Sequence, residues 1–175
     1  MIKYGIILLT ICLCASLVLS FTYKMTQAKI QEQLTVDEKV ALKEVFPQAK
    51  TFEEKTIDGL NYYLAKKDSQ DLGYIIKVQA KGYSSTIVMI VGFDKAGQIK
   101  GIEVLSQQET PGLGAKIIEI KSGESKPWFL ERFKGKNAKE LDLKNIQAIT
   151  SATITSRAVV ESIRKSIEEF LVEIK

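Results

Sequence analysis

The first strong signal along the chain is an unbroken apolar run. Residues 4–23, YGIILLTICLCASLVLSFTY, carry no charge over 20 positions. As a helix rising about 1.5 Å per residue, the run spans roughly 30 Å, the thickness of a bilayer's hydrocarbon core. Tyr4 and Tyr23 stand at its ends, where interfacial aromatics sit. The run exceeds the core of a signal peptide, about 7–15 residues, and the bulky SFTYKM at its end offers no small-x-small cleavage site. Residues 1–24 are therefore read as an uncleaved transmembrane anchor. Residues 25–48 read as a helical connector with a break near 35–37. Leu34, Val40, Leu42, Val45 and Phe46 give it an intermittent apolar face, and Pro47 ends it.

Beyond Pro47 the period changes to two. TFEEKTI and LNYYLAKK flank Asp58-Gly59, a hairpin turn signal. LGYIIKVQAKGY follows, and then STIVMIVGFD, a continuous apolar run suited to a strand buried on both faces. KAGQ is a turn, and IKGIEVLSQ alternates again. About five strands are expected across 50–108. From Glu109 the pattern shifts. ETPGLGAKIIEI is a Pro/Gly loop running into a short helix, KPWFLERF a second short amphipathic piece, and KGKNAKELDLKN a charged, solvated stretch. Over 155–175, Val160, Ile163, Ile167, Phe170 or Leu171, and Ile174 form one stripe at helical period, the mark of a helix lying on a sheet. The expected class is α+β: one transmembrane helix, then a domain over 49–175 with a mostly antiparallel sheet and flanking helices.

Charge and composition mainly exclude. The net charge is +4, and basic residues are interleaved with acids, so no nucleic-acid surface is expected. Histidine is absent, and the two cysteines, Cys12 and Cys14, both lie in the apolar run. Ser-His and Cys-His catalysis are excluded, as is a zinc site built from Cys and His. No catalytic acid/base site and no metal site are expected. Lys3 flanks one end of the anchor and Lys24 and Lys29 the other, so charge does not orient it.

Two stretches carry candidate chemistry. QAITSATITSRAVVESI, residues 147–163, gathers six hydroxyl residues where the last helix begins. Physics allows two readings: ordinary N-capping, or an anion site at the helix amino terminus in which one threonine accepts a phosphate ester. QQETPGLGAKI, residues 107–117, is either a plain strand-to-helix turn or a ligand loop. In the second case its glycines permit close approach to a flat ring, Leu113 offers an apolar face and Thr110 meets a polar edge.

AITSATITSRAV resembles the flavinylation motif of the FMN-binding domains of ion-pumping electron-transfer complexes. These are the G subunit of the Rnf complex and the C subunit of the sodium-pumping NADH:quinone reductase. The family pattern is roughly Asp-x-x-Ser/Thr-Gly-Ala-Thr, and its last threonine bears FMN through a phosphoester made by a separate flavin transferase. The resemblance makes Thr153 the acceptor and places Thr150, Ser151, Ala152 and Thr155 beside it. Gln147 replaces the usual aspartate, and Ser151 the glycine. Glu109, Thr110, Pro111, Gly112, Leu113 and Gly114 match the family loop that lies against the flavin. KGYSSTIVMIVGFDKAGQI resembles the domain's opening hairpin, with Ser84 and Ser85 where glycines are common. KPWFLERFKGK resembles the family's Trp…Phe-x-Gly stretch through Trp128, Phe133 and Gly135, with Trp128 read as core. Lys116 and Arg157 are candidate tuning cations, with plain solvation as the alternative.

The compact length looks more like the Rnf G subunit. The resemblance then implies a redox component of a translocase, passing electrons between ferredoxin and NAD and coupled to sodium or proton movement. Its cofactor would be covalent FMN. Its partners would be the other membrane subunits and the flavin transferase. It would be a single-pass protein of the cytoplasmic membrane with its domain on the outer or periplasmic side. The alternatives are the quinone-reductase C subunit and a cofactor-free anchored binding or assembly module.

Overall fold

In the computed structural model, residues 2–57, 59–68 and 70–174 are described. Helix α1 runs over Ile2–Val45 without interruption. The break expected near 35–37 is absent, because the weak helix formers there are satisfied locally. The Thr35 hydroxyl donates to the Glu32 carbonyl at 2.7 Å, and the Gln33 amide donates to Asp37 at 2.8 Å. The helix ends where Pro47 disfavours helical geometry at the residue before it. It is long and apolar enough to cross a membrane. The chain divides into two compact units, Met1–Glu38 and Lys39–Lys175.

In the second unit five strands follow in order: β1 Thr51–Ile57, β2 Leu60–Lys67, β3 Gln70–Lys81, β4 Thr86–Phe93 and β5 Ile99–Ser106. Each pairs antiparallel with its chain neighbour, giving a simple meander. The sheet occupies the expected span. Gly59 has φ +84, as the β1–β2 turn requires, while Asp58 lies outside the described residues. Helix α2 is Trp128–Glu131 and helix α3 is Thr153–Glu173.

One face of the sheet buries the main core. Tyr62, Ile76, Val78, Met89, Val91 and Phe93 meet Val159, Val160, Ile163, Ile167 and Phe170 of α3. The predicted stripe is therefore the buried face of α3. The other face carries a smaller core in which Ala65, Ile75 and Ile90 meet Ala41, Leu42, Val45 and Phe46. Strand β4 contributes to both cores, which explains its continuous apolar run. Glycine makes the second contact possible. A Cβ at Gly92 would strike Val45 and Phe46, and one at Gly101 would lie 3.0 Å from the Val45 carbonyl oxygen. Gly92 and Gly101 pair across β4 and β5, so together they open a slot for the end of α1.

The stretch from Lys134 to Asn145 is not simply solvated. Ala138 and Leu141 enter the main core, as does Ile146 just beyond, with Leu141 and Ile146 fully buried. Short turns present one anchor each, so no periodicity betrays them. A capping box between Asn137 and Glu140 holds the turn over Ala138–Glu140.

Candidate functional site

Three chain segments meet at one end of α3 and enclose a cavity of about 440 Å³. They are the β3–β4 turn, the loop leaving β5 and the entry to α3. Tyr83, Glu109, Thr110, Leu113, Gly114, Ser151, Ala152, Thr153, Ile154 and Thr155 line it. The volume lies within the range of cofactor pockets, roughly 300–1,000 Å³. Eight of the eleven motif residues expected from the sequence are thus brought together, and Thr150, Pro111 and Gly112 lie outside the lining.

The loop from β5 is shaped by Pro111-Gly112. Gly112 has φ +78, and the Thr110 carbonyl accepts from the N–H groups of Leu113 and Ala115 at 3.1 and 3.3 Å. Ser84 and Ser85 are used, not merely tolerated. The Ser84 hydroxyl lies 3.2 Å from the Thr110 hydroxyl, and the Gln108 N–H donates to Ser85 Oγ at 2.9 Å. They knit the turn to the loop.

The entry to α3 is anchored from below. Ile149 and Ala152 sit in the core. The buried Ser156 hydroxyl accepts from the Ile149 N–H and donates to the Ala152 carbonyl, both at 2.9 Å. The hydroxyls of this stretch therefore divide. Thr155 and Ser156 are buried and bonded inward, whereas Thr150, Ser151 and Thr153 are exposed. None of them caps the helix: Ala152 occupies the N-cap position, and among the described residues no side chain caps the first-turn N–H groups. Ordinary capping is thus not what these residues do. The amide groups and the positive end of the helix dipole face the cavity, the arrangement that takes an anion. Among the described residues the Thr153 hydroxyl makes no hydrogen bond, so it is free for substitution.

Ser151 adopts φ +67, the left-handed region. This explains why the family pattern has glycine here, since a Cβ in that region costs about 1–2 kcal/mol. Ser151→Gly is expected to stabilise the protein by about 1 kcal/mol, because relieved strain outweighs the added unfolded-state entropy. Thermal unfolding measures it; an unchanged or lower midpoint would contradict the strain argument. Gln147, at the other departure, accepts from Arg132 Nη1 at 3.0 Å through its side-chain oxygen and at 3.3 Å through its carbonyl. The Arg132 guanidinium also lies 4.8 Å from the centre of the half-buried Trp128 ring.

Glu109 is 5% exposed and accepts five hydrogen bonds. Burial pushes its carboxyl up. The Thr155 hydroxyl and the N–H groups of Ser85, Ser84 and Tyr83 outweigh that, holding it below the ordinary 4.5. A depressed acid stabilises when ionised, so this contribution is complete above pH 4.5 and lost as pH falls through the folded-state value. Glu103 acts oppositely. Burial raises its pKa against the attraction of Lys126, with Glu44 adding to the rise. Its contribution is present below the ordinary 4.5 and lost as pH rises through the folded-state value. The gap in thermal midpoint between wild type and Glu109→Gln isolates the first group. That gap is expected to be widest near neutrality and to shrink below pH 4.5; a pH-independent gap would contradict the assignment.

Sequence reasoning missed Tyr83 and Ile154, which are 72% and 59% exposed at the cavity. Ile154 carried a signal: it lies two and a half turns from Ile163, on the face opposite the core stripe. Tyr83 is a bulky ring in a Gly/Ser turn. Arg157 borders a second depression, of about 300 Å³, that shares Thr153 and Ile154 with the first.

Residues 82–168 match the family model of the FMN-binding domain, from the β3–β4 turn to α3, so all three walls fall within it. Along its length the chain is 32% identical to the G subunit of the Na(+)-translocating ferredoxin:NAD(+) oxidoreductase complex of Acetobacterium woodii, covering 96% of this chain and 90% of the relative. The chain belongs to the G-subunit family of ion-translocating oxidoreductase complexes. A Haemophilus influenzae member, the G subunit of an ion-translocating oxidoreductase complex, is 31% identical over 94% of this chain and 87% of its own. The C subunit of the Na(+)-translocating NADH-quinone reductase of Parabacteroides distasonis is similar in structure, with TM-score 0.50 and 26% identity. That match covers 64% of this chain and 61% of the other. The α+β class expected from the sequence is the class found.

Proposed function

We propose that this family member carries FMN covalently on Thr153 and relays electrons within a membrane complex. One observation carries the reading: an exposed threonine hydroxyl with no hydrogen bond among the described residues, at an uncapped helix amino terminus that lines a cavity of about 440 Å³. Thr153 Oγ1 bears the phosphate as an ester. The first-turn N–H groups of α3 and the helix dipole offset the phosphate charge. Small Ala152 and Ser151 let it approach the backbone. Leu113, Tyr83 and Ile154 offer apolar surface to a flat ring, with Thr110 at a polar edge.

When bound, FMN supplies one- and two-electron redox chemistry, and the protein's part is to hold and orient it. Tethering suits an exposed site, since a cofactor bound there only by contacts would be lost by dilution. The partners are the other membrane subunits and a flavin transferase for maturation. Helix α1 anchors the chain in the cytoplasmic membrane, with the domain on the outer side. The relatives' names support passage of electrons between ferredoxin and NAD with ion translocation.

Intact-mass measurement of protein from its own host, with peptide mapping, tests the attachment. The peptide spanning residues 146–157 is expected to gain the mass of an FMN ester. The bare peptide mass from a fully folded protein would overturn the proposal.

A further inference from the structure

The observation with most unexplained content is the buried carboxylate of Glu109. Among the described residues no cation pairs with it, yet burying an ionised carboxylate is expensive without compensation. Its compensation is made entirely of hydrogen-bond donors, drawn from two sides of the cavity. Oε1 accepts from the N–H groups of Ser84 and Ser85 at 2.9 Å each and from the Ser85 hydroxyl at 3.2 Å. Oε2 accepts from the Tyr83 N–H at 3.2 Å and from the Thr155 hydroxyl at 2.7 Å. A carboxylate offers about four lone-pair sites, so five donors leave no acceptor for a ligand.

Two glycines are fitted to this carboxylate. A Cβ at Gly82 would lie 2.5 Å from Oε1, and one at Gly114 would strike Oε2 and come within 2.8 Å of the Thr155 hydroxyl. Neither glycine has positive φ, so each is explained by space and not by backbone conformation. The carboxylate is thus clasped between the turn at 82–85 and the start of α3. Thr155 stands two residues after Thr153 on the first turn of that helix.

We propose that Glu109 is a positioning residue, tying the β3–β4 turn to the first turn of α3 through Thr155 and so fixing the Thr153 hydroxyl against the opposite wall of the cavity. This deepens the reading of Thr153 as the flavin acceptor and rests on it for its functional consequence. The physical coupling stands apart from it and is measured without flavin.

Amide hydrogen exchange on the full-length chain, unflavinylated, compares wild type with Thr155→Val, Thr155→Ser and Glu109→Gln. Removing one strong hydrogen bond is worth up to about tenfold in local opening. Thr155→Val is expected to speed exchange at the amides of 83–85, across the cavity, by roughly that factor. Thr155→Ser restores the hydroxyl and the wild-type rate. Glu109→Gln turns an amide donor toward backbone donors and speeds exchange both at 83–85 and at Ser156, whose N–H donates to the Ala152 carbonyl. Amides of β2 stay unchanged, which separates local release from unfolding.

A second arm uses protein co-expressed with flavin transferase. Thr155→Val is expected to lower flavin incorporation several-fold and the fluorescence anisotropy of what is attached, with Thr155→Ser recovering both. If exchange at 83–85 is the same in Thr155→Val and wild type, or serine fails to restore it, the positioning role is overturned. If wild type itself takes no flavin at Thr153, the acceptor assignment falls, while the exchange result still decides the coupling.

Discussion

Thr153→Val is expected to remove all covalent flavin while leaving the domain folded. The peptide spanning residues 146–157 should show the mass of its bare amino acids, and flavin fluorescence should vanish from the denatured protein on a gel. The expectation rests on a contrast within one helical turn. Thr153 is exposed and makes no hydrogen bond among the described residues, so trading its hydroxyl for a methyl costs within about 0.5 kcal/mol. Thr155 is buried and donates to Glu109, and Ser156 is buried and bonded twice, so neither hydroxyl is available. Thr150 and Ser151 remain exposed in the variant and serve as internal alternatives. Thr153→Ser, which keeps a hydroxyl at the same atom, should retain flavin. A flavin adduct persisting in Thr153→Val would move the attachment elsewhere.

The largest stability effect is expected from Phe170→Ala. Phe170 is 1% exposed. Its ring meets Tyr62 at 5.1 Å, Tyr74 at 5.3 Å and Phe93 at 5.5 Å between centroids, edge-on or tilted in each case. These partners come from β2, β3 and β4, so one side chain fastens α3 to three strands. Emptying that space costs about 3–5 kcal/mol, with edge-to-face contacts adding to the burial term. For a domain of this size that lowers the thermal midpoint by roughly 10–20 °C. Val172→Ala, two residues on but 76% exposed, should change it by no more than about 2 °C. Comparable shifts for the two variants would show that α3 is not held by this aromatic cluster.

The strands were legible because their burial alternates or saturates, and β4 announced itself by burial on both faces. The α3 stripe was legible for the same reason. Local bonding at Thr35 and Asp37 overrode a weak propensity signal, which is why α1 continues where a break was expected. Leu141 and Ile146 were obscured by the lysines around them, since an isolated anchor has no period. At the site, the motif residues converged on the cavity, but their division of labour was not legible. Thr153 and Thr155 are the same residue type two positions apart, and only the tertiary fold turns one outward and the other onto Glu109. Ser151 was legible as a departure from glycine, but only its φ of +67 gives the substitution a physical cost. Tyr83 reaches the cavity only because the turn after β3 folds back beside the loop leaving β5.

The order β1-β2-β3-β4-β5 has a consequence for biogenesis. Each strand finds its partner in the segment synthesised just before it, so loop-closure costs are small and pairing can follow the chain as it emerges. Helix α3 follows the whole sheet in chain order, and with it comes the residue proposed to receive the flavin. A chain stalled after β5 but before Thr153 can zip up its hairpins yet offers no acceptor hydroxyl to a modifying enzyme. Prosthetic-group loading would thereby act as a checkpoint, reserved for polypeptides whose sheet has already been made.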